Sequence, residues 1–247
     1  MHDTRLIMGM PVSIHLPEGD AARADSDEVF SYFEAVDRRF STYRHDSEIS
    51  RLNRGELGTE ELSEEMREVL AIAERTKETS AGYFDIRRPD GSIDPSGIVK
   101  GWAVLNAAKI LHAAGYADFY IDGGGDIASS GTNAQGRPWS VGIENPFDRR
   151  SIVKVVRPYG RGIATSGSYI RGAHIYDPHT GAVPRGLVSI TVIGPDVLEA
   201  DRFATAAFAM GKKGIEFIAR KAGFEAYAID EGGIATMTSG FDALVPA

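Results

Sequence analysis

Cysteine is missing altogether from the 247 residues of this chain. Its absence excludes disulfides, thiolate nucleophiles, zinc–thiolate centres and a lipid-modified cysteine. Basic runs are missing too, and the formal net charge is −8, which argues against a surface for nucleic acid or for anionic membranes. No stretch approaches the ~18 consecutive apolar residues that span a bilayer. The opening Met1-His-Asp-Thr-Arg lacks the charged-then-apolar order of a secretion signal, so a cytoplasmic protein without direct membrane insertion is expected. Also lacking are a Gly-x-Ser-x-Gly nucleophile elbow, an internal repeat and a low-complexity linker.

What is present is ordinary in bulk. With 43% hydrophobic and 25% charged residues, the chain is globular and long enough to bury a substantial core. Met8 to Leu16 mixes β-branched and apolar residues and stops at Pro17, which predicts a strand and a turn. The spacing of Val29, Phe30, Phe33, Val36 and Phe40 predicts a helix from about Ala22 to Phe40, and Met66, Leu70 and Ala73 predict another from about Ser63 to Thr79. A third helix opens at Asp94-Pro-Ser96, with Ser96 as its N-cap and Gly115 as its stop. Strand signals at 117–121, 139–143, 151–156, 162–165 and 187–193 fill the second half, followed by a helix around Asp201, another at 211–222 and a strand pair around Glu231-Gly-Gly233. The expectation is one α+β domain over residues 1–247, with a mixed β-sheet and packed helices.

The chemistry-bearing segments each admit two readings. In a helix Asp201 and Thr205 stand one above the other, and Ala200, Ala204, Ala206 and Ala207 allow close approach. A carboxylate plus a hydroxyl suits Mg²⁺; an Ala-rich core helix with a solvated acid and a back-bonded threonine fits the same pattern. Asp122-Gly-Gly-Gly-Asp126 gives N–H groups room to face an anion, or forms a tight turn; its spacing is not that of a dinucleotide fingerprint. Asp177-Pro178 favours a type I turn that would fix His174 on a loop, where it serves as a general base or is simply hydrogen-bonded, while His179 is expected to be solvated. Lys100 is placed to approach a phosphate, or is a solvated charge. The polar loop from Phe40 to Asn53, with two aromatics, reads as a binding loop.

Taken in order, Met8-Gly9, Phe40-Ser-Thr-Tyr43 with Asp46-Ser-Glu-Ile-Ser50 and Asn53, Gly82-Tyr-Phe-Asp85, Asp94-Pro-Ser-Gly-Ile-Val-Lys-Gly101, Gly124-Gly-Asp126, Ala164-Thr-Ser-Gly167, His174-x-x-Asp-Pro-x-Thr-Gly181 and Ala200-Asp-x-x-Ala-Thr205 resemble the ApbE family, the FAD:protein FMN transferases. The resemblance runs across nearly the whole chain. It implies a T-fold-related α+β domain that binds FAD and Mg²⁺, cleaves the FAD pyrophosphate, releases AMP and joins FMN through its phosphate to a threonine or serine hydroxyl of an acceptor flavoprotein. By the same resemblance Asp201 and Thr205 are side-chain ligands of Mg²⁺ and Gly97 supplies a backbone carbonyl. Tyr43 is then the ring that stacks on the isoalloxazine; Met8, Asp85, Ile86, Arg87, Asp94, Lys100 and Ile175 contact FAD; His174 deprotonates the acceptor hydroxyl.

The chain departs from the family pattern at Met10 and Arg87, where threonine is common, and at Asp122, where asparagine is common before the glycines. Two other functions compete: a Mg²⁺-dependent FAD pyrophosphatase giving FMN and AMP, and a non-catalytic flavin-binding protein. His174 and the Asp201/Thr205 pair speak against binding alone. Tyr43 favours transfer over hydrolysis if it seals the flavin from water.

Overall fold

The structure, a computed structural model, describes residues 1–168 and 175–246. The chain opens with a hairpin of β1 (His2–Ile7) and β2 (Met10–His15), then runs through helices α1 (Arg23–Phe40), α2 (Glu48–Asn53), α3 (Glu64–Thr79) and α4 (Ser96–Ala113). Strands β3 (Phe119–Gly123) and β4 (Asp126–Ser130) follow, then β5 (Val141–Asn145), β6 (Asp148–Val156), β7 (Gly162–Gly167) and β8 (Ser189–Gly194). Helices α5 (Val197–Ala209) and α6 (Gly214–Ala219) lead to β9 (Glu225–Ile229) and β10 (Ala235–Met237). No helix among the described residues is long and apolar enough to cross a membrane.

Eight strands form one sheet in the order β1-β2-β3-β4-β7-β8-β9-β10, and β5 pairs with β6 apart from it. The α+β class expected from the sequence holds. Every described pairing is antiparallel rather than mixed in direction. The connections explain this: β8 and β9 are neighbours joined through two helices, and an even number of helical passes returns the chain pointing the opposite way.

The two faces of the sheet carry different cover. On one face α4 lies against β3 and β4, while α5 lies against β7 and β8 and crosses α4. Helix α4 is apolar nearly all round, with Ile98, Val99, Trp102, Val104 and Leu111 buried, because it sits between the sheet, α1, α3 and α5. On the other face Ile127, Ile163, Ile193 and Tyr227 pack with Val141, Ile143 and Val156 of the β5–β6 hairpin. Alternation along β4 does this directly: Ile127 belongs to the hairpin side and Ala128 to the helix side.

Three local expectations change. The sequence pattern hid β1, whose residues alternate between exposed and half-buried at the edge of the sheet and so lack an apolar face. The expected loop at 40–53 contains α2, capped by Ser47 Oγ, which accepts the Ser50 N–H at 3.2 Å; six residues are too few to show a helical period. Ser96 is not the N-cap of α4 but its first residue, and its N–H donates to Asp94 Oδ1 at 3.1 Å.

Candidate active site

The crossing of α4 and α5 is built from small residues. Gly97 and Gly101 stand one turn apart on α4, as Asp201 and Thr205 do on α5. A Cβ at Gly101 would lie 2.7 Å from Asp201 Cβ and 3.0 Å from the Val197 carbonyl oxygen, and one at Gly97 would lie 3.5 Å from Thr205 Cγ2. Only glycine permits so close a crossing. It lets the Gly101 N–H, which the helix ladder assigns to the Gly97 carbonyl, donate to Asp201 Oδ2 at 2.8 Å. Gly101→Ala is therefore expected to destabilise the protein by about 1–3 kcal/mol, since overpacking and loss of the Asp201 bond outweigh the ~1 kcal/mol helix-propensity gain. Urea unfolding would show this as a lower midpoint at unchanged slope.

Asp201 is buried, and its neighbours are charged. Lys100 Nζ lies 2.5 Å from Asp126 Oδ1 and 3.8 Å from Asp201 Oδ1. Burial holds the Asp126 carboxyl well above the usual carboxylate range; the negative charge of Asp201 adds to that rise and Lys100 opposes it. In the sequence Asp126 is only the end of the Gly-Gly-Asp motif, without a role of its own. The available signal was an acid at the first position of a strand whose next residues, Ile127 and Ala128, are apolar.

Asp122 stands on the rim and is tied to its own turn. Its Oδ1 accepts the Gly125 N–H at 2.7 Å, and Gly124 and Gly125 take φ values of 64° and 94° that side chains disfavour. Burial raises the Asp122 carboxyl, with the Gly125 bond and Lys100 pulling it back. The glycine run is thus a hairpin turn with a strand after it, and Met10 Sδ would sit 2.8 Å from a Cβ at Gly124.

A loop between α3 and α4 forms another wall. The Asp94 N–H donates to the Ile86 carbonyl at 2.8 Å, and Arg88 pairs with Asp94. Asn53 of α2 pins this loop through both of its amide atoms: Nδ2 donates to the Ile93 carbonyl at 2.9 Å and Oδ1 accepts the Ile93 N–H at 2.8 Å. Asp85 accepts the Arg87 N–H at 2.8 Å and pairs with Lys77 Nζ at 2.7 Å. His179, expected to be solvated, instead bonds through Nε2 to the Ala81 carbonyl at 3.0 Å and lies edge-on to Tyr83, so the Asp177-Pro178 turn is fastened to the same wall.

These walls enclose a cleft of about 590 Å³, within the size range of small-molecule sites. Of the residues singled out from the sequence, Asp85, Ile86, Asp94, Gly97, Lys100, Ile175, Asp201 and Thr205 line it. Met8 does not; it occupies the β1–β2 turn with φ 56°, beside Gly9 and Met10, which do. Arg87 is exposed and outside the lining, although its carbonyl accepts the Tyr176 hydroxyl at 3.3 Å. Tyr43 is 98% exposed and also outside the lining. His174 lies outside the described residues.

Asp201, Thr205 and Gly97 offer a carboxylate, a hydroxyl and a carbonyl, all hard oxygen donors with no sulfur or imidazole among them. No cluster of three or more histidine, cysteine or acidic side chains shaped for a metal occurs among the described residues, so any cation here relies on this mixed set. Gly97 contributes by what it lacks, since a side chain there would press on Thr205 and Phe84. The donor set fits a small hard divalent ion.

The family model described as the ApbE family matches residues 8–88 and 87–228. The chain belongs to the ApbE family. The FAD:protein FMN transferase of Salmonella typhimurium is 37% identical over 151 residues, which is 57% of this chain and 43% of that protein. This ApbE-family chain thus spans less than half the length of that relative in the match. The FAD:protein FMN transferase of Haemophilus influenzae is 27% identical over 285 aligned positions, covering 88% of this chain and 82% of that one. The solved structure of the flavin transferase ApbE from Vibrio cholerae superposes with a TM-score of 0.86 at 27% identity, covering 99% of each chain.

Proposed function

We propose that this protein transfers FMN from FAD to a threonine or serine hydroxyl of an acceptor flavoprotein and releases AMP, working as one domain over residues 1–247 with Mg²⁺ at the α4–α5 crossing. The observation that carries this reading is the convergence on one cleft of Asp201, Thr205 and Gly97 with Lys100 and the Asp85–Asp94 loop, in a chain of the ApbE family. An acidic protein of net charge −8 needs local positive charge to accept a pyrophosphate. Lys100 provides it one turn into α4, close to the positive end of that helix.

Bound Mg²⁺ would polarise phosphate oxygens and act as a template. Asp201 and Thr205 would hold it through side-chain oxygens and Gly97 through its carbonyl. The remaining demand is positioning, plus removal of one proton. His174, the chain neighbour of cleft-lining Ile175, takes the proton from the acceptor hydroxyl. That oxygen bonds to the FMN phosphorus as the bond to AMP breaks, and AMP leaves.

Hydrolysis of FAD to FMN and AMP is the second reading, favoured by one observation. Tyr43 stands almost fully exposed and away from the cleft, so in this arrangement it does not keep water out. Incubation with FAD, Mg²⁺ and a candidate acceptor, followed by acceptor mass and AMP release, separates the two. A mass gain of one FMN with matching AMP supports transfer. AMP with free FMN and an unchanged acceptor supports hydrolysis, and absence of AMP sinks both.

A further inference from the structure

Asp126 is 0% exposed at the start of β4. Among the described residues no backbone N–H or hydroxyl donates to either of its carboxylate oxygens; it meets the Lys100 ammonium at 2.5 Å and the carboxyl of Asp201 within hydrogen-bonding reach. With Asp201 also buried alongside, two acids share one ammonium in a water-poor place. Such an arrangement costs stability, because a buried carboxylate needs several donors to replace its hydration. The fold gains little from this charge, which directs attention to what it does for Lys100.

Asp201 has two carboxylate oxygens, and Oδ2 is already taken by the Gly101 N–H at 2.8 Å. Oδ1 is the oxygen left for a cation, and it is also the one that faces Lys100 at 3.8 Å. Lys100 carries its charge on a flexible four-carbon stem that can settle on either acid. We propose that Asp126 is a positioning residue: it holds the Lys100 ammonium at the cleft wall and short of Asp201, so that Asp201 Oδ1 stays open to a divalent cation. Without Asp126 the ammonium closes the remaining gap, pairs with Asp201 and competes with the cation. This rests on the reading of Asp201 as a cation ligand.

The test is Mn²⁺ binding to the full chain without FAD, followed by electron paramagnetic resonance, alongside thermal unfolding in the absence of metal. Asp126→Asn is expected to raise the Mn²⁺ dissociation constant about 10–100-fold, the usual scale for residues that orient a ligand, while the thermal midpoint stays level or rises. In a Lys100→Met background the same substitution should change the constant by no more than about twofold, because Asp126 then has no ammonium to hold. Asp126→Ser serves in the same role should the asparagine variant not fold. Unchanged Mn²⁺ affinity in Asp126→Asn overturns the proposal, as does an equal loss with and without Lys100, which would make Asp126 itself a ligand. A drop in thermal midpoint that tracks the lost affinity reduces Asp126 to a structural part and overturns it too. Failure of the wild-type protein to bind Mn²⁺ sinks the ligand assignment of Asp201 and this proposal with it, whereas wild-type binding with an unaffected Asp126→Asn sinks this proposal alone.

Discussion

Asp201→Ala is expected to lower Mg²⁺-dependent FMN transfer on the order of 10²–10³-fold while leaving a cooperatively folded protein. The magnitude follows from the several kcal/mol of charge stabilisation that a bound cation supplies, with each ~1.4 kcal/mol worth a factor of ten. Folding survives because the substitution removes one of two buried acids and leaves the Lys100–Asp126 pair intact. What the fold loses is the bond from the Gly101 N–H, on the order of 1 kcal/mol. Asp201→Asn separates the two roles: its amide oxygen can still accept from Gly101, yet it carries no charge. Steady-state transfer across a Mg²⁺ titration, paired with urea unfolding, reads both quantities. Wild-type turnover in either variant at ordinary Mg²⁺ would remove Asp201 from the metal site.

His174→Asn is expected to reduce acceptor flavinylation on the order of 10²–10⁴-fold, the usual worth of a positioned proton transfer, with FAD and Mg²⁺ binding retained. The resemblance implies the role, and Ile175, the next residue in the sequence, lines the cleft. Asparagine keeps polarity and approximate size but cannot accept a proton near neutral pH. Single-turnover flavinylation at saturating FAD, read by acceptor mass, measures the step without the influence of product release. Transfer at the wild-type rate, or outright loss of FAD binding, excludes His174 as the base; Asp177, whose carboxylate already accepts from the Thr180 hydroxyl and the His179 N–H, or water would then have to take the proton.

Much of the site was visible in the order of motifs. Asp201 and Thr205 were recognisable because helical spacing alone stacks them on one face, and α5 keeps that spacing. The long helices were legible for the same reason: Val29, Phe30, Phe33, Val36 and Phe40 form a buried stripe on α1, and Ser63 caps α3 through the Met66 N–H at 3.1 Å. Strand β1 and helix α2 were not legible, one because an exposed edge strand has no apolar side to betray it, the other because six residues complete less than two turns.

The sequence by itself determined the chemistry available to this protein: no thiol, an acidic balance, and hard oxygen donors spaced for one helix face. Those follow from residue identity and from the local period of the chain. Only the tertiary structure decided which of the donors meet. Asp126 and Lys100 lie 26 positions from each other and Lys100 lies 101 from Asp201, yet the three charged groups gather within 3.8 Å of the Lys100 ammonium because Gly97 and Gly101 let α4 and α5 cross closely over the start of β4. The same packing left Tyr43 and Arg87 outside the cleft that their motifs suggested. Contacts between distant segments depend on how faces bury against one another, and no local pattern encodes that.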